Sequence, residues 1–245
     1  MSQTAEQVKT DLRAYSNAKN AANLQRFFKT AKGDYGEGDK FLGIKVPEIR
    51  KVAAKFIDLT FKHLETLLTS SFHEERFLAL AILTKKFARA NSAVPETETK
   101  EQIYEFYMAH TDNINNWDLV DVSAPQIVGG YLYPLGSRFW SVLYKMAEED
   151  HLWRKRISII STFTFIRQGV FKPTLDIAKI LLNDEHDLIH KAVGWMLREV
   201  ANRDRPPVEK FLQEHCKTMP RTMLRYAIEK FPEELRQEYL KKICK

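Results

Sequence analysis

The sequence is short of the residues that build small cross-linked or metal-held folds. Its 245 residues include only two cysteines, Cys216 and Cys244, and only nine glycines and nine prolines. Two cysteines cannot form a disulfide scaffold, and no C-x-x-C pair or Cys/His cluster with zinc spacing accompanies them. We therefore predict no metal site. With 44% hydrophobic residues, the chain is expected to fold around a sizeable core.

Long apolar runs and a secretory leader are also lacking. The N-terminal stretch MSQTAEQVKTDLRAY is polar and amphipathic, whereas a secretory signal has a basic start followed by an apolar segment. No run of about 18 apolar residues appears later in the chain. We therefore expect a cytoplasmic protein with no membrane partner.

Positive charge is in moderate excess and is unevenly distributed. The chain has 38 Lys and Arg against 32 Asp and Glu. Residues 151–245 carry a net charge of +7, whereas residues 1–150 carry −1. This asymmetry suits a polyanionic partner such as nucleic acid, although a basic surface kept for solubility explains the charge equally well.

Apolar residues recur at three- and four-residue intervals through most of the chain, which is the period of an α-helix. Helix starts are predicted at Pro47, Pro95 and Pro232, and at residues 71–74, whose sequence SFHE has the form of a capping box. Residues 157–165 are rich in β-branched and aromatic side chains. No second strand-like run offers them a partner, so we predict a buried helix there as well.

Several segments repeat one pattern, in which a polar loop leads through a basic residue into an apolar helix. Their anchor residues are Arg76, Asn116, Arg156, Lys191 and Arg225. The spacings of 40, 40, 35 and 34 residues are typical of helical repeats. We therefore predict an all-α fold, a curved α-solenoid that forms a single domain over residues 1–245. The alternative is a compact two-domain helical protein with its linker at residues 90–99 or 203–207.

Stacked repeats would bring their anchor cations to one surface. Arg76, Arg156, Lys191 and Arg225 would then form a basic row suited to a phosphate backbone. The alternative is that each cation caps a helix or forms an ion pair inside its own repeat.

Two helical segments combine an indole with charged residues. Trp117 and Asp121 are four residues apart, on one face of a helix, and Lys191, Trp195 and Arg198 follow one another at similar intervals. Indoles, a carboxylate and cations can together hold a sugar and its phosphates. In the alternative reading, the tryptophans belong to the core and the carboxylate caps a helix.

Four motifs in order resemble the AlkD-type DNA alkylation repair family, over nearly the whole chain from about Leu24. They are residues 41–50 (FLGIKVPEIR), 117–121 (WDLVD), 153–156 (WRKR) and 191–199 (KAVGWMLRE). The resemblance implies HEAT-like repeats and a monofunctional DNA glycosylase that removes N3- and N7-alkylated purines from duplex DNA, as a monomer and without a cofactor.

The resemblance also assigns roles to residues. The functional carboxylate of the family falls on Asp121, its sugar-contacting tryptophans on Trp117 and Trp195, and its phosphate-binding arginine on Arg156. Together with the repeat pattern it predicts a larger set of DNA-binding cations, namely Arg50, Arg76, Lys191, Arg198 and Arg225.

One carboxylate is sufficient for this chemistry. An N3- or N7-alkylated purine already carries a positive charge, so it leaves as a neutral base without help from a general acid. The oxocarbenium-like sugar that remains can be stabilised by a preorganised anion, here Asp121, and by the electron-rich faces of the two indoles.

Three residues depart from the family pattern. Phe27 stands where some members have Tyr, Asn116 where a second Trp can occur, and Val46 lacks a hydroxyl that could contact a phosphate. No spacing pattern marks His73, His186 or His190 as catalytic or metal-binding.

Two other functions stay open on the sequence. A helical-repeat scaffold could bind proteins, and a repeat protein could bind DNA without catalysis. A scaffold has no need for the Trp117–Asp121 pair or for the charge asymmetry, whereas a non-catalytic DNA-binding protein could dispense with Asp121.

Overall fold

The computed structural model describes residues 3–92, 94 and 96–241, mostly as helices joined by loops, the longest of which spans residues 28–45. The predicted helix start at Pro95 and the second cysteine, Cys244, lie outside these residues. The prediction of an all-α protein is confirmed: the described residues contain no β-strand, only one isolated bridge between Lys40 and Phe72. The chain forms two compact units, one ending at Ile127 and the other beginning at Val128.

In the first unit the described residues form seven α-helices. They are α1 (Ala5–Arg13), α2 (Ala18–Phe27), α3 (Val46–Lys55), α4 (Phe61–Leu68), α5 (His73–Ala90), α6 (Thr97–Ala109) and α7 (Trp117–Ala124). The long helix α5 is buried over most of its length and contacts α3, α4, α6 and α7. It is therefore the centre of this unit.

In the second unit the described residues form eight α-helices. They are α8 (Gly130–Leu135), α9 (Ser141–Glu148), α10 (Leu152–Arg167), α11 (Lys172–Ile180), α12 (Asp187–Ala201), α13 (Arg205–His215), α14 (Arg221–Ala227) and α15 (Glu233–Leu240). Helix α10 contains residues 157–165, so the prediction of a buried helix there is confirmed. Its burial among α9, α11 and α12 outweighs the strand propensity of its residues.

The five repeat anchors lie near the starts of their helices, four of them at the fourth or fifth residue. Asn116 is the N-cap of α7, Arg76 is the fourth residue of α5, and the other three are the fifth residues of α10, α12 and α14. The spacing in the sequence therefore reports a real structural repeat.

Close helix packing in the second unit depends on a glycine. A Cβ added to Gly194 of α12 would lie 2.5 Å from Met223 O and 2.5 Å from Tyr226 Cβ of α14. Any larger residue would therefore push the two helices apart.

The start of α5 corrects one prediction. The helix begins at His73 with Phe72 at the N-cap, and no side chain caps it, so the predicted capping box is wrong. The Glu74 carboxylate turns instead to the loop before α3, where it accepts hydrogen bonds from the backbone N–H groups of Leu42, Gly43 and Ile44 at 2.9, 2.8 and 3.2 Å.

None of the described helices is both long enough and apolar enough to cross a membrane.

Candidate active site

Helix α7 carries both Trp117 and Asp121, one turn apart, as their spacing predicts. The helix starts at Trp117 because the Asn116 side chain accepts a hydrogen bond from Trp117 N at 2.8 Å. Leu119 and Val120 are fully buried, whereas Trp117 and Asp121 are only partly buried. The indole and the carboxylate can therefore both reach a ligand.

The Trp117 ring lies against the end of α2. Phe28 stacks on it with centroids 5.4 Å apart and planes at 16°, and Phe27 approaches it edge-on at 6.1 Å. Phe28 is buried, but the Phe27 side chain is 64% exposed. Trp117 is thus fixed on one side and bordered by an exposed aromatic ring.

A buried chain of charged groups lies behind Trp117. Arg76 donates to Asp39 Oδ1 at 2.7 Å; Asp39 Oδ2 is 3.3 Å from His73 Nδ1; and His73 Nε2 is 2.8 Å from Asp118 Oδ2. Asn116, next to Trp117, also donates to Asp39 Oδ2 at 3.4 Å. We refer to Arg76, Asp39, His73 and Asp118 as the buried charge network.

The network shifts the pKa values of two of its members, His73 and Asp39. Burial alone would lower the pKa of His73, but the Asp118 carboxylate, with a further hydrogen bond to Asp39, raises the pKa of His73 to about 9. Burial likewise acts to raise the pKa of Asp39, and the hydrogen bond to His73 and the charge of Arg76 outweigh it, so that the pKa of Asp39 is lowered. These pKa shifts favour a protonated His73 and an ionised Asp39 at neutral pH.

A cavity of about 340 Å³ opens beside the network in the first unit. It is mainly apolar, and its lining includes Phe27, Phe28 and Phe41, with His73 and Asp118 among its polar members. Phe41 stacks on the His73 ring at 4.8 Å. The histidine of the network therefore lies at the cavity wall, packed against an aromatic ring.

Asp121 lies near a pair of buried hydroxyl groups, those of Tyr107 and Ser123. Tyr107 is fully buried, and its hydroxyl is 3.0 Å from Ser123 Oγ. Burial raises the pKa of Tyr107, and the negative charge of Asp121 raises it further. Tyr107 therefore stays protonated as a neighbour of Asp121.

In the second unit, Arg156 links α10 to the start of α12. The residue is 4% exposed, and its Nη1 donates to Leu188 O at 2.6 Å. The guanidinium is therefore anchored to the first turn of α12.

Helix α12 presents Lys191, Trp195 and Arg198 in sequence. Lys191 forms an ion pair with Asp187 at 2.7 Å and is 40% exposed. Trp195 is partly buried, donates from Nε1 to Glu199 Oε1 at 3.1 Å, and lies 6.0 Å from the Phe163 ring. Arg198 pairs with Glu199 and with Glu229.

The remaining predicted DNA-binding cations differ in exposure. Arg50 on α3 and Arg225 on α14 are exposed. The Arg76 side chain is only 4% exposed, and it donates to Asp39 and to Ser70 O at 2.9 Å. Because its guanidinium faces the interior, Arg76 holds the buried charge network together, and we assign it no phosphate contact.

Sequence reasoning missed His73, Asp39 and Phe28. The partners of His73 lie 34 residues before and 45 residues after it, so no local spacing could reveal them. The available signal was Asp118, which stands inside the WDLVD motif and touches His73. Among the described residues, no group of three or more His, Cys, Asp or Glu side chains could hold a metal ion.

Comparisons with known proteins agree with this organisation. The family model described as DNA alkylation repair enzyme matches residues 8–231, so the chain belongs to that family. A solved structure described as a predicted DNA alkylation repair enzyme from Enterococcus faecalis is similar in fold. It has a TM-score of 0.67 at 15% identity and covers 89% of this chain and 97% of its own. No curated protein gives a significant match.

Proposed function

We propose that this member of the DNA alkylation repair family is a monofunctional DNA glycosylase that removes N3- and N7-alkylated purines from duplex DNA. The observation that carries the proposal is the arrangement on α7, where a partly buried indole and a carboxylate stand one turn apart. The position of Trp117 against Phe28, next to a buried charge network, gives this pair a fixed geometry.

In the proposed reaction the bond between C1′ and the purine nitrogen breaks, and both electrons go to the nitrogen. The electrons neutralise the positive charge of the alkylated base, which leaves without a proton. The positive charge then develops on the deoxyribose, where the Asp121 carboxylate stabilises it and orients water. Addition of water to C1′, with loss of a proton, gives the abasic site.

The other predicted residues have supporting roles in this proposal. Trp117 and Trp195 offer indole faces to the sugar, on which its positive charge is favourable. Arg156, which stands at the phosphate-binding position of the family, binds a phosphate of the DNA backbone. Four further cations, Arg50, Lys191, Arg198 and Arg225, bind the backbone of the duplex.

The reaction is a hydrolysis, and the proposal requires no cofactor or metal. The net charge of +7 over residues 151–245 supports a DNA partner. We further propose that the protein acts as a monomer in the cytoplasm.

The test is release of 7-methylguanine and 3-methyladenine from methylated duplex DNA under single-turnover conditions, with duplex binding measured in parallel. Wild-type protein should release the bases, and Asp121→Asn should bind normally but react ~100- to 1,000-fold more slowly, since loss of one preorganised electrostatic partner costs this much. Asp58→Asn is the matched control, because Asp58 is a 67% exposed surface carboxylate of the same unit.

Each failure has a definite meaning. Salt-sensitive binding without release by the wild-type protein would leave a DNA-binding repeat protein. Absence of DNA binding would leave a protein-interaction scaffold. Equal rates for wild type and Asp121→Asn would remove Asp121 from the mechanism.

A further inference from the structure

The buried charge network extends to the helix that carries the proposed active site. Its last member, Asp118, is the second residue of α7 and directly follows Trp117. Asp118 uses both carboxylate oxygens: Oδ1 accepts from Leu119 N at 2.8 Å and Oδ2 contacts His73 Nε2 at 2.8 Å. The first turn of α7 is therefore tied by a side chain to α5.

Within the buried charge network, only His73 contacts carboxylates from two different segments of the chain. Its Nδ1 faces Asp39 in the loop before α3, and its Nε2 faces Asp118 on α7. A neutral imidazole has one N–H donor, whereas the imidazolium has two. Both carboxylates can accept a hydrogen bond from His73 only while the ring is protonated.

The same histidine also reaches Trp117 through a ring contact. Phe28 lies 4.9 Å from the His73 ring and stacks on Trp117 at 5.4 Å. Asn116, which caps α7 at Trp117, donates to the carboxylate that His73 contacts on its other side. Three restraints therefore hold Trp117: the cap on its backbone N–H by Asn116, the stacking of its ring on Phe28, and the bond of the next residue, Asp118, to His73. Phe28 and Asp118 contact His73 directly, and Asn116 is bonded to its partner Asp39.

We infer that His73 is a positioning residue, which fixes the first turn of α7 and thereby the orientation of Trp117 and Asp121. The inference rests on the proposed function only for the consequence in catalysis; the positioning itself is a property of the folded first unit. A displacement of about 1 Å in a reacting group can cost a factor of about 100 in rate, so such positioning matters.

The network also makes the positioning dependent on pH. The charged groups that act on His73 are Asp118 and Asp39, which favour its protonation, and Arg76, which opposes it. Glu74 and Lys45 also line the adjacent cavity. The Glu74 carboxylate is directed toward three backbone amides rather than toward His73. As the pH rises past about 9, His73 loses its proton and one carboxylate loses its hydrogen bond.

The first measurement does not depend on activity. Full-length protein labelled with 5-fluorotryptophan gives one ¹⁹F resonance for each of its four tryptophans, and Trp117→Phe identifies the resonance of Trp117. We expect that resonance to shift with a single midpoint near pH 9 in the wild-type protein and to lose this transition in His73→Gln. A Trp117 resonance that does not titrate in the wild-type protein would overturn the inference, even if the variant failed to fold.

The matched control removes a different ion pair from the same helix. Glu75 is 1% exposed, pairs with the half-exposed Arg13 of α1 at 2.7 Å, and accepts a hydrogen bond from Ser70 Oγ at 2.7 Å, which a glutamine can still accept. Glu75→Gln should therefore keep the pH 9 transition at Trp117. Loss of that transition in Glu75→Gln would show that any damage to α5 disturbs Trp117, and the specific role of His73 would be refuted.

The second measurement is single-turnover base release. His73→Gln should release 7-methylguanine ~10- to 100-fold more slowly than wild type while its affinity for undamaged duplex stays within about twofold. Glu75→Gln should keep the wild-type rate. A wild-type protein that releases no alkylpurine would defeat the proposed function but leave the fluorine measurement as the test of positioning. If His73→Gln released 7-methylguanine at the wild-type rate, the positioning role of His73 in catalysis would be refuted.

Discussion

The two proposed sugar-contacting tryptophans lie in very different surroundings. Trp117 in the first unit stacks on a buried phenylalanine beside the buried charge network, whereas Trp195 in the second unit is bonded to Glu199 and flanked by partly exposed ion pairs. Buried charges keep their interaction in salt, and exposed ones are screened. We therefore expect salt to weaken the ion pairs around Trp195 more than those around Trp117.

The largest effect on stability should come from breaking the network. Asp39→Asn leaves Arg76 and His73 without their shared carboxylate, both almost fully buried. Loss of one partner of a buried pair costs about 3–5 kcal/mol. Urea unfolding should therefore show a large drop for Asp39→Asn. Glu229→Gln, which removes a 47% exposed partner of Arg198 in the second unit, should lose less than about 1 kcal/mol. Equal losses would contradict the contrast between the units.

Stability should also depend on pH through His73. Its pKa of about 9 in the folded protein lies above the ordinary value of 6.5, so its stabilising effect is complete below about pH 6.5 and lost as the pH rises through 9. The change is on the order of 3 kcal/mol. Between pH 6 and pH 10 the wild-type protein should lose unfolding free energy, and its loss should exceed that of His73→Gln by this amount. The same pH dependence in both proteins would argue against the raised pKa.

A smaller effect is expected at the exposed cations. Arg225→Gln should weaken duplex binding several-fold at low salt and reduce the slope of log affinity against log salt by about one. Lys62→Gln, which removes the same charge from an exposed residue of α4, serves as the control, because Lys62 is not among the proposed contacts. If both substitutions changed the salt slope alike, only net charge would matter and the assignment of Arg225 would fail.

The smallest effect should follow Phe27→Tyr. The ring is 64% exposed, so the hydroxyl reaches solvent and the unfolding free energy should not change. A new hydrogen bond to the sugar or phosphate would contribute about 1 kcal/mol, which is within tenfold in rate. Comparing release of 3-methyladenine and 7-methylguanine by the two proteins measures whether this position sets lesion preference. Unchanged rates on both would show that it does not.

Much of the fold could be predicted from the sequence because it depends on local pattern. Apolar periodicity predicts the helices, and the repeat spacing places one anchor near the start of each of α5, α7, α10, α12 and α14. The Trp117–Asp121 relation was predictable for the same reason, since four residues make one helical turn.

The surroundings of these residues could not be predicted in the same way. The repeat position of Arg76 predicts a surface cation, but its guanidinium is buried in an ion pair with Asp39, 37 residues earlier in the chain. The carboxylate of Glu74 suggested a helix cap, and its actual partners are amides about 30 residues earlier. Long-range pairing of buried charges leaves no periodic signal in a single sequence.

The order of the network along the chain has a consequence for synthesis. Asp39, His73 and Arg76 all precede Trp117, and their bonds to one another involve only residues up to position 76. Because a chain emerges from the ribosome N-terminus first, the surface against which α7 packs can form before α7 is synthesised. Trp117 would then pack against a surface that is already formed, and a shortened nascent chain ending before Trp117 would leave His73 without Asp118 and Phe28 without the indole that stacks on it.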